Sequence, residues 1–494
     1  MKRLFCFTFL LFSHLAANIQ TLYNSLDPKS VSQHLALYSL YPDTPFGKKA
    51  LQDAWNLLSG TGNPTPLPAK LPEISSLIGL IQKRGSDSPP ELSQESLQAI
   101  GSLGARLQNR RLKGHLARTE QELAALSPDE IDIGRAVLLE DPNLESYEAM
   151  LDLMALQILA RLPQNPSPRQ MIEEINRLIF EQMRFRFPPH SVYAKEIDHY
   201  TFLPSVLDSR QGVCLGVSTL YLAIAQRIGL PLEMVTPPGH IYVRYKDQDQ
   251  TINIETTCRG IHMDDEAYLS VDTCKLQMRT AKEVIGLISI NHASIYLQDG
   301  SYDKALACYK KAAVFLPEDF LLRQLMGCCH LMLGQEQEGY LALKEVAQSV
   351  DCCSVSPHML AADLLAKKGD KECLEALFYH IDEKRASILA KKDRLEEVVK
   401  KHPEFRDGWF SLAGCWLQLH RQKEALEILE RCHELSPDDS TCNYYLAVLH
   451  VIRFNYPMAA KYLTMAERVT SQKGHYPKAL KELRRELASV YPGT

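Results

Sequence analysis

The sequence predicts an α+β protein in three parts: a helical N-terminal region, a small α+β core and an all-α superhelical array of helix pairs. Three observations support this fold class. Apolar residues recur at helical spacing through roughly the first 140 positions. Two short alternating segments then follow a buried helix near the middle of the chain. Finally, Pro403 and Pro437 lie 34 positions apart within helical sequence, which is the period of a known type of helix-pair repeat.

Length and composition set the broad class. A chain of 494 residues allows two to four domains, and an apolar fraction of 45% with 23% charged residues is typical of a folded globular protein. The net charge of -5 gives no electrostatic footprint for nucleic acid, so no nucleic-acid partner is expected. The basic run at residues 106–118 has apolar spacing and is predicted to be one solvated helix face.

The N-terminus resembles a signal segment at residues 1–17, with Lys2 and Arg3 before an apolar stretch. The small residues of a cleavage site are missing, and a buried first helix explains the stretch equally. Nine of the thirteen cysteines lie from Cys308 onward, where they fit small, reduced packing positions. Export and a cytoplasmic location therefore both stay open, and no membrane span beyond this segment is expected.

The helical N-terminal region is assigned to residues 18–139. Helices are predicted at about 20–60, 71–83 and 91–139, with Pro-rich breaks at 60–72 and 85–90. Helices at 143–162 and 168–183 then open a core that is assigned to residues 140–280.

The core contains the strongest functional pattern. Cys214 is predicted at or near the first turn of an apolar helix, where unpaired N–H groups and the helix dipole favour a thiolate. His240 and Glu255 follow on two short predicted strands. This order suits a thiolate nucleophile, its base and the acid that orients the base. Each residue taken alone would also suit a packing role.

The pairing of the two strands decides which acid meets the histidine. If Tyr245 pairs with Gln250 across the polar turn, His240 faces Glu255. A slip in this register would bring a neighbouring residue towards the histidine instead, so Asn253 is kept as a supporting candidate.

These residues resemble the transglutaminase-like superfamily, whose signature is Gly-x-Cys at a helix start, then a His strand and an Asp strand. Segments 178–185, 202–207 and 238–240 are similar to a bacterial branch often joined to tetratricopeptide repeats. The resemblance implies a papain-like α+β fold over about residues 140–270. It also implies Cys214 as nucleophile, His240 as base and Glu255 as acid. The sequence departs from the family at the acid, which is Glu rather than Asp, and the branch includes members without the cysteine.

Other candidate sites are weaker. Tyr200 is a candidate oxyanion donor beside the backbone N–H of Cys214, although an aromatic core residue would look the same. Cys258 and Cys274 could ligate zinc with His262, but they form no CxxC pair. No calcium-type acidic loop or phosphate-binding loop is present in the sequence, so neither a metal nor a cofactor is expected.

Residues 281–494 are predicted to form tetratricopeptide-like repeats. Small and large apolar residues recur in the expected slots around residues 293–317, 409–437 and 446–466, with degenerate units at 320–353 and 354–402. Such pairs stack into a superhelix with a concave surface, and this surface is expected to bind a protein or peptide.

Two hypotheses for function follow. In the first, the chain is a cysteine-dependent amide hydrolase or transamidase whose repeats bind a protein substrate or partner. In the second, it is a non-catalytic adaptor that uses the same folds for protein interaction alone. The Cys214, His240 and Glu255 set favours the enzyme, because an adaptor has no need for an activated nucleophile.

Overall fold

The computed structural model describes residues 18–60, 66–67, 92–188, 198–349, 354–355, 359–382 and 384–491. The signal-like segment at 1–17 and the helix predicted at 71–83 lie outside the described residues. Within the ranges given, no helix is long and apolar enough to cross a membrane.

The first part of the chain is helical, and its helices begin at residues that cap helix N-termini. Ser30, Thr44, Ser93 and Ser167 each accept a hydrogen bond from a backbone N–H of the following first turn. The helices are α1 (Val31–Leu40), α2 (Pro45–Ser59), α3 (Gln94–Gly104), α4 (Glu120–Ala125), α5 (Ile133–Ala136), α6 (Leu144–Arg161), α7 (Pro168–Asn176) and α8 (Leu203–Ser209). Short 3-10 turns cover Gln108–Arg111, Lys113–Leu116 and Pro128–Glu130, and a π-helical turn covers Arg177–Gln182.

The basic run at residues 106–118 is not the solvated helix face that the sequence predicts. It folds as short turns, and Arg110 forms a salt bridge with the buried carboxylate of Asp152. Arg227, which is fully buried, also binds Asp152, with 2.8 Å between Nε and Oδ1, and lies 3.7 Å from Asp132. Arg110 turns inward because a buried carboxylate left without a partner would be strongly destabilising.

The core is built on one central helix, α9 (Cys214–Ile228), which is buried on nearly all sides. A four-stranded antiparallel sheet packs against it in the order β3-β2-β1-β4. The strands are β1 (Glu233–Thr236), β2 (Tyr242–Lys246), β3 (Thr251–Ile254) and β4 (Gln277–Arg279). Helix α9 and its neighbours share one apolar cluster with α1 to α7. The sequence pattern missed β4, which is only three residues long.

The register of β2 against β3 differs by two from the sequence prediction. Lys246 pairs with Thr251, whereas the prediction paired Tyr245 with Gln250. Asp247 explains the difference, because its carboxylate accepts two backbone N–H groups of the turn that follows it, at 2.9 and 2.8 Å. This side-chain-to-backbone bonding closes the turn one residue later than expected.

The C-terminal half is a stack of helix pairs. Left-handed backbone conformations recur at the turn between the two helices of a pair. They lie 34 residues apart at Gly300 and Gly334, and again 34 apart at His420 and Phe454. The helices are α10 (Ala281–Gln298), α11 (Tyr302–Ala313), α12 (Phe320–Met332), α13 (Glu336–Gln348), α14 (Met359–Leu365), α15 (Lys371–Leu377), α16 (Arg385–Lys401), α17 (Arg406–Gln418), α18 (Gln422–Leu435), α19 (Ser440–Ile452), α20 (Tyr456–Gln472) and α21 (Lys478–Val490).

The core and the helix pairs are joined by a buried ion pair. Arg279, the last residue of β4, donates to the carboxylate of Asp319 at 2.6 Å, and both side chains are largely buried. Asp319 also caps α12 by accepting the N–H of Leu322 at 2.8 Å. The charge pair therefore fixes the start of α12 against the edge of the sheet.

Candidate active site

Cys214 is the first residue of α9, as its position before an apolar run predicts. The preceding residue, Val213, offers no side-chain cap, and its own N–H donates to the carbonyl of Tyr200 at 3.1 Å. Helix α9 approaches the Tyr200 carbonyl closely at Gly216, where an added Cβ would lie only 2.4 Å from the carbonyl oxygen. Glycine is therefore required at this position in the first turn of the helix. The half-buried thiol of Cys214 lies at the helix N-terminus, where the helix dipole favours a thiolate.

His240 meets Glu255 through a short hydrogen bond. The distance from Nε2 to Oε2 is 2.6 Å, and the histidine side chain is 30% exposed while the glutamate side chain is 4% exposed. Gly239, at φ +69°, completes the turn that delivers the histidine. Cys214 lines the same cleft as this imidazole and interacts with it electrostatically. Since Nε2 is held by the carboxylate, Nδ1 is the ring nitrogen left for the thiol.

The strand register does not place these two residues directly opposite each other. The last pair of the two strands is Val243 with Ile254, and the same register continued by one position would set Glu255 across from Tyr242, two residues beyond His240. The contact forms because the long glutamate side chain reaches back to the imidazole. The extra methylene of Glu, which departs from the Asp of the superfamily signature, gives it that reach.

Tyr268 is a site residue that the sequence analysis missed. Its hydroxyl donates to Oε2 of Glu255 at 2.9 Å, and its ring stacks on His240 with centroids 5.9 Å apart and 12° between planes. The other face of the site is closed by Tyr242, whose ring stacks on Tyr268 at 4.2 Å. Thr257 donates to the second carboxylate oxygen of Glu255 from both its N–H and its hydroxyl, at 3.1 and 2.6 Å. No sequence period marks Tyr268, since it lies in a loop.

These contacts determine the charge state of the site. The interaction with Cys214 and the hydrogen bond to the Glu255 carboxylate raise the pKa of His240 to about 10, against the opposing effect of burial. Burial alone would raise the pKa of Glu255, but the hydrogen bonds from His240 and Thr257 lower it overall. Burial and the neighbouring carboxylate raise the pKa of Tyr268, which stays a protonated donor at neutral pH. An imidazolium held by a carboxylate is therefore the favoured state of the His240–Glu255 pair.

The two supporting candidates, Asn253 and Tyr200, make other contacts. Asn253 is buried and does not contact His240; it accepts from Nε of Arg244 at 2.8 Å and donates to Asp265 at 2.7 Å. Tyr200 touches the start of α9 through its backbone carbonyl, and its ring packs edge-on against His199. Asn253 therefore does not orient the imidazole, and an oxyanion role for Tyr200 stays a prediction.

A cleft of about 580 Å³ opens beside the thiol and the imidazole. One wall is the turn that carries His240, and Cys214 lies in the lining. Another wall comes from the repeats, through Leu287 and Ile290 of α10 and Leu321 of α12. Leu321 is 58% exposed, so an apolar side chain of the repeats faces the space next to the nucleophile.

Two groups of potential metal ligands occur in the described part of the chain, and neither includes the residues of this site. In the first, Asp132 and Glu148 are already neutralised by Arg227 and Arg135. The second joins Asp370, Cys373 and His402 in the repeats, where Asp370 caps α15. In that group, burial raises the pKa of the cysteine thiol to about 12, which disfavours the thiolate that a metal needs.

The comparisons with known proteins agree with this architecture. The family model described as "Transglutaminase-like superfamily" matches residues 145–279, which include Cys214, His240 and Glu255. The chain thus contains a transglutaminase-like domain, and stacked helix pairs follow it.

Similarity to curated proteins is partial. An 80-residue stretch is 30% identical to F-box only protein 21 of Mus musculus, covering 15% of this chain and 12% of that protein. A 172-residue stretch is 25% identical to the BBSome complex member BBS4 of Bos taurus, covering 35% of this chain and 30% of that protein. The chain therefore spans less than a third of the length of either relative.

Among solved structures, MamA matches with 14% identity and a TM-score of 0.21, covering 38% of this chain and 93% of that one. YrrB, described as a TPR protein with an unusual peptide-binding site, matches with 15% identity and a TM-score of 0.22, covering 40% and 92%.

Proposed function

We propose that this chain is a cysteine-dependent amide hydrolase or transamidase that acts on a protein or peptide. The observation that carries the proposal is that Cys214 and His240 line one cleft and that His240 shares a 2.6 Å hydrogen bond with the Glu255 carboxylate. Nucleophile, base and orienting acid in contact are the minimum set for covalent acyl transfer. A binding module gains nothing from a raised histidine pKa beside a helix-start cysteine.

The chemistry runs in two steps. The Cys214 thiolate attacks an amide carbonyl, and the His240 imidazolium protonates the departing amine, which leaves an acyl thioester on sulfur. The neutral imidazole then takes a proton from water or from an acceptor amine, which attacks the thioester and releases the thiolate. Glu255 keeps the imidazole oriented and stabilises its charged form. The backbone N–H of Cys214 is a donor for the oxyanion.

The cleft supports a polymeric substrate. Its volume lies in the range of sites that enclose a ligand segment, and its lining combines the turn of His240 with apolar residues of the repeats. We infer that the repeats hold the substrate chain while the core cleaves or transfers it. A non-catalytic adaptor is the alternative, in which the same surfaces bind a protein without reaction.

The test is the pH dependence of iodoacetamide alkylation of Cys214 in the folded protein, read by peptide mass spectrometry. Cys258 is the internal control, because it is exposed in the same chain. An ordinary thiol with a pKa of about 8.5 is only a few per cent thiolate at pH 7. We expect Cys214 to react at least several-fold faster than Cys258 at pH 6 to 7, and His240→Ala to abolish the difference.

Alkylation of Cys214 that is slow and indifferent to His240→Ala would favour the adaptor. Activity is then examined directly with casein and a fluorescent primary amine as probes. Cys214→Ala is expected to abolish both hydrolysis and amine incorporation with the far-UV circular dichroism unchanged, and activity retained by that variant would disprove the assignment of the nucleophile.

A further inference from the structure

One loop of the core is held by the repeats, and this loop carries the tyrosine of the candidate site. We define the tyrosine loop as residues 264–275, between β3 and β4. Apart from a single 3-10 turn at Asp265–Ala267, it has no regular structure of its own. A segment of this length is conformationally free unless side chains anchor it, so its anchors determine where Tyr268 lies.

The first part of the tyrosine loop is anchored to the core. Asp265 accepts hydrogen bonds from Arg244 and from Asn253, both on the sheet, and the Asn253 bond is 2.7 Å long. Three residues later, Tyr268 reaches Glu255 and stacks on His240.

The second part of the tyrosine loop is anchored to the repeats. The carbonyl of Ser270 accepts from Nε2 of His475 at 2.8 Å, and His475, between α20 and α21, is 5% exposed. The carbonyl of Asp272 accepts from the N–H of Val355 at 2.7 Å. These contacts join positions that are more than 80 and 200 residues apart in the chain.

An apolar anchor lies between those two hydrogen bonds. Val271 is 5% exposed and belongs to the apolar cluster of the last repeats, with residues such as Leu446 and Tyr462, rather than to the cluster of its own domain. A buried valine removes apolar surface from water and is lost only at a cost of about 1.5 to 3 kcal/mol. The repeats therefore enclose the core's own loop at a point where they would otherwise present apolar surface.

We propose that the C-terminal repeats are a positioning element of the candidate active site: by holding Ser270, Val271 and Asp272 they fix Tyr268 against the His240–Glu255 pair. Val271 and His475 are the positioning residues, and they act through Tyr268 without touching the nucleophile. The catalytic consequence rests on the proposed function, whereas the coupling between the repeats and the imidazole does not.

The coupling is measured on the full chain by NMR titration of the His240 imidazole, with carbon-13-labelled histidine and with His240→Ala to assign the signal. Tyr268→Phe removes the hydroxyl that holds Glu255, so the carboxylate is no longer fixed against the imidazole and the titration midpoint of His240 is expected to shift. Val271→Ala and His475→Ala are expected to shift the midpoint in the same direction. His475→Gln, which keeps a side-chain N–H donor, is expected to restore it.

Val346→Ala is the matched control. Val346 is a fully buried valine of α13 that belongs to a different apolar cluster from Val271, so its truncation removes similar packing without touching the tyrosine loop. Its titration is expected to match that of the wild-type protein. Thermal unfolding of every variant separates loss of fold from loss of coupling, and the His475 pair remains informative if Val271→Ala fails to fold.

The outcomes are separable. The positioning role of the repeats would be overturned if His240 titrated as in the wild-type protein in both Val271→Ala and His475→Ala. A wild-type titration of His240 in Tyr268→Phe would overturn it as well. The His240 titration midpoint could shift in Tyr268→Phe, Val271→Ala and His475→Ala while the alkylation rate of Cys214 is unaffected by His240→Ala. That combination would support the coupling and reject the proposed chemistry.

Discussion

At the scale of single residues, the site depends on a carboxylate whose position the register alone does not give. Glu255 binds His240 at 2.6 Å because its side chain spans an offset of two residues along the strand. The sequence could name Cys214, His240 and Glu255, since each follows a local cue: a helix start, a glycine turn and an alternating strand. Tyr268 has no such cue, because its partners are set by the tertiary contacts of its loop.

Glu255→Gln tests the acid while keeping the size of the side chain. The amide cannot balance an imidazolium, so the pKa of His240 falls and turnover on casein is expected to drop on the order of 10²-fold or more. Stability is expected to change far less than rate, as measured by urea unfolding.

Asn253→Ala is the contrasting change on the same strand. It removes buried hydrogen bonds to Arg244 and to Asp265, an anchor of the tyrosine loop, so it is expected to cost about 1 to 3 kcal/mol of stability and to lower turnover less than Glu255→Gln does. If Asn253→Ala reduced turnover more than Glu255→Gln, the orienting role would belong to Asn253.

At the scale of elements, the first repeats do more than extend the chain, because they form part of the cleft. The buried pair of Arg279 and Asp319 sets α12 against the sheet edge, and Leu321 of α12 lines the cleft beside Cys214. The helix pairs could be predicted from the 34-residue spacing of their packing residues. Their contact with the core could not, because a repeat pattern describes only how each pair meets its neighbours.

Leu321→Asp tests whether this wall contacts substrate. A carboxylate in an apolar wall disfavours an apolar peptide segment, so the KM for a peptide substrate is expected to rise about tenfold or more, equivalent to at least ~1.4 kcal/mol of binding. Alkylation of Cys214 by iodoacetamide is expected to be unchanged, since the reagent is too small to need the wall.

Leu116→Asp is the control for that experiment. Leu116 is 77% exposed in the N-terminal region and does not line the cleft. An equal rise in KM for both variants would show that the charge acts on the protein as a whole and not at the cleft wall.

At the scale of the whole molecule, the helical N-terminal region and the core fold around one ionic cluster. Arg227 of α9 is fully buried against Asp132 and Asp152, which come from separate helical segments. Sequence patterns predicted the helices but not this cluster, because charges are assumed to face water until their partners are known. The apolar spacing of the basic run at 106–118 likewise predicts a solvated face, because the partner of Arg110, Asp152, lies 42 positions along the chain.

The cluster predicts a pH dependence of stability. Burial would raise the pKa of Asp132, but Arg227 and the hydrogen bonds from His115 and Asn109 lower it to about 2 from 3.8. A lowered pKa in the folded state contributes stability that is present above the unfolded value and is lost as the pH falls towards 2. The shift corresponds to about 2 kcal/mol.

Asp132→Asn is therefore expected to unfold at lower urea concentration than the wild-type protein at pH 7, by at least about 2 kcal/mol. The difference is expected to begin narrowing below about pH 4. Asp129→Asn, at an exposed carboxylate nearby, serves as the control and is expected to change stability little at either pH. If the difference in unfolding free energy between Asp132→Asn and the wild-type protein stayed constant down to pH 2.5, the link between the Asp132 pKa and stability would be contradicted.

The seating of Val271 has a consequence for where this protein can be divided. A boundary near residue 280 separates core from repeats along the chain, but in space the repeats contribute the surroundings of Val271 and the counter-ion of Arg279. A fragment that ended near residue 280 would expose the side chain of Val271 and leave the guanidinium of Arg279 without its carboxylate partner. Exchange of the repeat array between related chains would likewise preserve the core only if the incoming array offered the same pocket and the same carboxylate. The core and its repeat array therefore have to be transplanted together.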